Sequence, residues 1–108
     1  MREGLIEAVT KTQKEELEAA NEAFRQFTST HEGYAVILEE AQEAEEELRN
    51  MARNLNALWE CTKHNAPTEE LEAMTEGLEK SAQLLAAEAI QTAAMARKLL
   101  DFIGSEKK

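Results

Sequence analysis

Apolar residues recur at steps of three and four along most of this chain, the spacing that places them on one face of a helix. Ile6, Val9, Leu17, Ala20, Phe24 and Phe27 follow it with Gln13 as the interruption, predicting an amphipathic helix over about residues 3–27. A second helix is predicted over about 31–64. Its seam reads Tyr34, Ile37, Ala41, Ala44, Leu48, Met51, Leu55, Leu58, an alternation of threes and fours that marks packing against another helix along the whole length. Ser29 to Glu32 fits a capping box at its start: the serine oxygen accepts the N–H three residues on, and the glutamate returns a bond to the serine backbone. A third helix is predicted over about 68–103. Thr68 serves as its cap, Glu69 and Glu70 complement its positive end, and Gly104 ends it before a solvated GSEKK tail.

The one proline lies in HNAPTEE, between the second and third helices. So short a connection makes the two helices antiparallel neighbours, a hairpin about 50 Å long at 1.5 Å per residue. The third helix carries two stripes. One is Leu71, Met74, Leu78, Leu85, Met95, Leu99 and Phe102; the other is Ala82, Ala86, Ala89, Ala93, Ala96 and Leu100, so two neighbours are expected. Three long helices in 108 residues leave apolar surface that two intramolecular partners cannot cover. The expectation is an all-α fold, a single domain over 1–108 whose helical bundle is completed by homo-oligomerisation as a dimer or tetramer.

Composition narrows the function classes. A net charge of −10, from 22 acidic and 12 basic residues, excludes a generic binder of nucleic acid or of anionic membranes, which needs clustered lysine and arginine. No segment approaches the ~18 apolar residues of a membrane helix, and the N-terminus lacks the apolar core of a signal peptide, so a cytoplasmic location is expected. Cys61 is the only cysteine, which excludes an internal disulfide. Glu60, Cys61 and His64 lack the paired spacing of a zinc site, and no arrangement around Cys61 marks a nucleophile.

The residue that stands out is Glu88, set in AAEAIQTAAMA among small and apolar neighbours. Taking an ionised carboxylate out of water costs several kcal/mol, so a partner is expected. Glu40, Glu43 and Glu47 share a face of the second helix beside its seam, with Glu39 one step to the side. If the third helix runs back antiparallel, Glu88 comes opposite Glu40 and Glu43, and an all-oxygen cluster of that kind suits Mg²⁺ or Mn²⁺. The plainer alternative is a solvated acidic face with pairs such as Glu45–Arg49 and Glu76–Lys80, and Glu45, Glu46 and Glu47 are read that way. A protonated or hydrogen-bonded structural Glu88 is the corresponding alternative there. His31 is read as a surface or packing residue, Met51 and Trp59 as core.

HEGYAVILEEAQEAEEEL (31–48) with AEAIQTAAMARKLLDFI (87–103) resembles the phage and bacterial branch of the all-α, MazG-like nucleoside triphosphate pyrophosphohydrolases. That family carries a Glu-Glu-x-x-Glu motif on one helix and Glu-x-x-Asp on the next, holding Mg²⁺ against substrate phosphates. Glu39, Glu40 and Glu43 match the first and Glu88 the start of the second. Gln91 stands where the family has aspartate, and the 44 residues from Ala44 to Ala87 exceed the usual spacing between the motifs. The resemblance implies a metal set of Glu39, Glu40, Glu43, Glu88 and Gln91, with Glu40, Glu43 and Glu88 serving catalysis. It also implies release of nucleoside monophosphate and pyrophosphate from a nucleoside triphosphate, and a second subunit completing the pocket. Lys80, Arg97 and Lys98 are candidate phosphate partners. The alternative is a non-catalytic helical interaction or structural protein of phage or mobile-element origin, which the glutamine at 91 favours.

Overall fold

The computed structural model describes residues 2–107. They form three helices, α1 (Arg2–Ala23), α2 (Thr30–Lys63) and α3 (Thr68–Glu106), with no strand among the described residues. The all-α expectation therefore holds. Among the described residues no helix is long and apolar enough to cross a membrane. The chain divides into two compact units, one joining the segment up to Ala41 with that from Ala89 onward, the other being Gln42–Glu88.

In the first unit the core is Phe27, Ala94 and Met95, with Leu17, Ala20, Val36, Ile37, Leu99 and Phe102 packed around it. Helix α1 stops four residues short of the predicted end. Phe24 N–H still donates to the Ala20 carbonyl at 2.8 Å, but beyond it side chains replace helical bonds: Arg25 donates to the Gln26 carbonyl at 3.0 Å, and Gln26 Oε1 accepts the Phe27 N–H at 2.7 Å. Leaving the helix lets Phe27 turn into the core, while Phe24, expected on the same stripe, stays 71% exposed. On α1 only the second half packs, with Gln13 Nε2 bonded to the Ala93 carbonyl at 3.2 Å; Leu5, Ile6 and Val9 are exposed.

At the start of α2 the Glu32 N–H donates to Ser29 Oγ at 3.1 Å, the first half of the predicted box. The return bond differs, because Glu32 Oε1 accepts from Thr28 N–H at 2.9 Å instead of the serine's own. At the other end of the chain Gly104 does not end α3, which continues to Glu106. No glycine in the described residues has positive φ, so Gly104 lies within the helix as an ordinary residue, and Ser105 Oγ bonds the Phe102 carbonyl at 2.7 Å.

The second unit is the hairpin tip. Helix α2 closes in a Schellman motif: Asn65 takes the left-handed conformation at φ 50°, its N–H donating to the Thr62 carbonyl and Ala66 N–H to that of Cys61. Helix α3 opens on the Pro67 carbonyl, which accepts from Glu70 and Leu71, so Thr68 is its first helical residue and not the cap. Along α2 the half-buried row is Ile37, Glu40, Ala44, Glu47, Met51, Asn54, Leu58 and Cys61. Half of the predicted seam is thus displaced: Tyr34, Ala41, Leu48 and Leu55 are exposed, and so is Trp59, with Lys63 Nζ 5.6 Å from its ring centroid. The cause is polar pairing inside the hairpin. Asn54 Nδ2 donates to the Gly77 carbonyl at 3.0 Å and to Ser81 Oγ, whose own hydroxyl donates to the same carbonyl at 3.0 Å. The first α3 stripe packs as predicted, whereas Ala82, Ala86 and Ala89 of the second are exposed and only Ala93 and Ala96 are covered.

Gly33 is the buried residue of α2, packed in the first unit. A Cβ there would lie 2.7 Å from Leu99 Cδ1 and 3.1 Å from Phe27 Cδ2. Alanine would add up to about 1 kcal/mol of helix propensity, but overpacking costs about 1–3 kcal/mol where the neighbour cannot move, and the Phe27 ring is buried. Gly33→Ala is expected to lower stability by about 1–2 kcal/mol, measured as a shift of the urea midpoint at unchanged slope.

Candidate functional site

Glu43 and Glu88 both lie in the second unit, on α2 and α3, and each offers a carboxylate oxygen within 4.8 Å of the other's. Glu40 precedes Glu43 by three residues on α2 and belongs to the first unit. Glu40 and Glu88 are half-buried; Glu43 is exposed. The level is set by the hairpin register. Glu43 lies eleven residues before Asn54 and Glu88 eleven after Gly77, so the pair joined by the Asn54 amide and the pair of carboxylates are the same distance along antiparallel helices. Like charges so close repel, and an oxygen-only donor set of this type fits a hard divalent cation.

A cavity of about 530 Å³ opens in the first unit. Its apolar wall is Ala20, Phe24, Phe27, Val36 and Met95, and its polar wall Arg25, Glu32, Glu39, Glu40, Gln91 and Lys98. Three residues of the predicted metal set, Glu39, Glu40 and Gln91, therefore line it. Gln91 Nε2 donates to Glu16 Oε2 of α1 at 2.8 Å, a tie that the position of Gln91 in the motif could not reveal. Of the candidate phosphate partners only Lys98 reaches the cavity. Arg97 is exposed and donates twice to Asp101 Oδ1, at 3.1 and 2.9 Å, and Lys80 is exposed. His31 is exposed as expected. The Glu45–Arg49 pair forms at 2.6 Å, while Glu76 and Lys80 make no ion pair among the described residues. Cys61 is a half-buried free thiol.

Sequence marked Glu32 only as part of a capping box and did not mark Arg25, although the two form a bidentate ion pair on the cavity wall. Arg25 Nη1 and Nη2 donate to Glu32 Oε1 and Oε2 at 3.0 and 2.8 Å, and the seven residues between them span the break between α1 and α2. Spacing alone gives no helical signal across such a break. The Arg25 guanidinium, followed by the Thr28 N–H, holds the Glu32 carboxyl down at about 2. Comparison with protein-family models, curated proteins and solved structures yields no match.

The lowered Glu32 pKa sets a pH window. The carboxylate is stabilised in the fold relative to its ordinary value of 4.5, so its contribution is complete above that value and is lost as pH falls through about 2. Glu32→Gln removes the Arg25 ion pair. The difference in thermal stability between the parent and this variant is expected to be constant from pH 7 to about 5 and to shrink steadily below, as read by paired circular-dichroism melts.

Proposed function

We propose that the protein is a Mg²⁺- or Mn²⁺-dependent nucleoside triphosphate pyrophosphohydrolase-like protein, with Glu40, Glu43 and Glu88 as its metal-binding and catalytic carboxylates and Glu39 and Gln91 at the margin. The observation that carries the proposal is the approach of Glu43 and Glu88, residues 45 apart in the chain, to within 4.8 Å, with Glu40 one turn away. The cavity lined by Glu39, Glu40 and Lys98 gives further support, since it offers carboxylates for a cation and an ammonium for phosphate in one place.

A divalent cation would neutralise phosphate charge and polarise the phosphoryl group when bound. The chain's own part is to orient and to accept a proton. Glu40 and Glu88, half-buried, have little freedom to turn away and suit ligation; Glu43, exposed on the same level, can accept the proton of an attacking water. Water attacks the α-phosphorus, the bond to the bridging oxygen breaks, and nucleoside monophosphate and pyrophosphate leave. Gln91 offers a neutral oxygen where a charged one would bind more strongly, and its amide is tied to Glu16.

A second proposal, a non-catalytic helical interaction protein, is favoured by one observation. Tyr34 and Leu38 in the first unit, and Leu48, Leu55 and Trp59 in the second, stand exposed on α2. Either way a homo-oligomer would cover those side chains.

Two measurements separate the proposals. Millimolar Mn²⁺ is expected to raise the melting temperature of the parent, by an amount equivalent to about 2.7 kcal/mol at a hundredfold excess over Kd, and to do so far less in Glu43→Gln and Glu88→Gln. The same variants are expected to lose pyrophosphate release from a nucleotide panel by about 100-fold or more. A parent that shows no metal-dependent shift and no release leaves the interaction protein.

A further inference from the structure

Lys98 is 3% exposed, the most deeply buried charged residue among those described, and it lines the first unit's cavity. Its backbone carbonyl accepts from Gln26 Nε2 at 3.4 Å, but its ammonium makes no hydrogen bond or ion pair with the described residues. What faces it is the Phe27 ring, 5.0 Å from Nζ to centroid. A ring face returns only part of the hydration that a buried ammonium gives up. The cavity's other cation cannot take a ligand without cost, because both arms of Arg25 are spent on Glu32. A lysine 3% exposed, whose ammonium has no ion pair with the described residues, thus lines a space of about 530 Å³, within the range of small-molecule sites.

The walls say more about what would fill that space. Val36 and Met95 are apolar, and Phe24, 71% exposed, presents a ring on which a flat group can stack. We infer that this cavity binds a phosphorylated compound bearing a planar aromatic group, of mononucleotide size, with the phosphate on Lys98 and the aromatic group against Phe24. The assignment deepens the pyrophosphohydrolase proposal and rests on it for the natural ligand being a nucleoside triphosphate; the phosphate contact itself needs no metal.

The test uses the full chain in EDTA, titrated calorimetrically with inorganic pyrophosphate and with 5′-nucleoside monophosphates. Lys98→Met keeps the side-chain stem and removes the charge, and Lys98→Arg keeps a charge. Both ligands are expected to bind the parent, to weaken at least about tenfold in Lys98→Met, and to recover in part in Lys98→Arg. Phe24→Ala is expected to weaken the monophosphates while leaving pyrophosphate unchanged. The inference is overturned if the folded parent binds none of these at millimolar concentration, if Lys98→Met binds as tightly as the parent, or if Phe24→Ala leaves the monophosphates unaffected. Mn²⁺ melting of the same samples keeps the two proposals apart. A metal shift without phosphate binding sinks this site and leaves the carboxylate centre; charge-dependent phosphate binding without a metal shift does the reverse.

Discussion

The Asn54 amide donates to the Gly77 carbonyl and the Ser81 hydroxyl, and this contact across the hairpin decides which residues of α2 and α3 share a level. Apolar rows of leucine, methionine and alanine tolerate sliding, since a shift of one heptad, about 10 Å, brings similar side chains together again. A half-buried amide tolerates it less, because a buried donor left without its acceptor costs up to about 1–3 kcal/mol. A Cβ built at Gly77 would lie 3.7 Å from Asn54 Cγ, an ordinary contact, so the pin depends on the carbonyl of residue 77 and not on its being glycine. Counting outward from this pin in both directions reaches Glu43 and Glu88, so the meeting of the carboxylates follows from a polar contact more than two helical turns distant.

The first unit is organised around a different junction. The break after α1 releases Phe27 into the core, Gly33 gives its ring room, and Lys98 closes over the same ring from α3. Arg25 and Glu32 fasten the break from outside, with the Thr28 N–H as a third member. A cavity remains beside this junction since the chain between α1 and α2 is held by side-chain bonds and not by further helical packing.

Sequence periodicity located all three helices, α2 and α3 starting within a residue of expectation. It failed where two neighbouring rows of α2 were equally regular. Tyr34, Ala41, Leu48 and Leu55 are more apolar than Glu40, Glu47, Asn54 and Cys61, yet the second row is the one turned inward. Hydrophobicity ranks the rows wrongly because it takes no account of the Asn54–Gly77–Ser81 bonds, which connect residues more than twenty positions apart. The same blindness hid the Gln91–Glu16 and Arg25–Glu32 contacts. Glu88 was visible because its neighbours are small and apolar, and Glu43 because of helical spacing; Lys98 was one of three equivalent cations until the fold separated them.

Among the described residues the buried apolar side chains, Phe27, Ala94 and Met95, all belong to the first unit, and in the second the one buried residue is Ser81. In the hairpin tip Met51, Leu58, Leu78 and Leu85 are half-buried, while Leu48, Leu55 and Trp59 remain in contact with water. Association through those side chains would favour the folded form by mass action. The midpoint of unfolding would then be a function of how much protein is in the tube, so that dilution alone would loosen the part of the chain that carries Glu43 and Glu88.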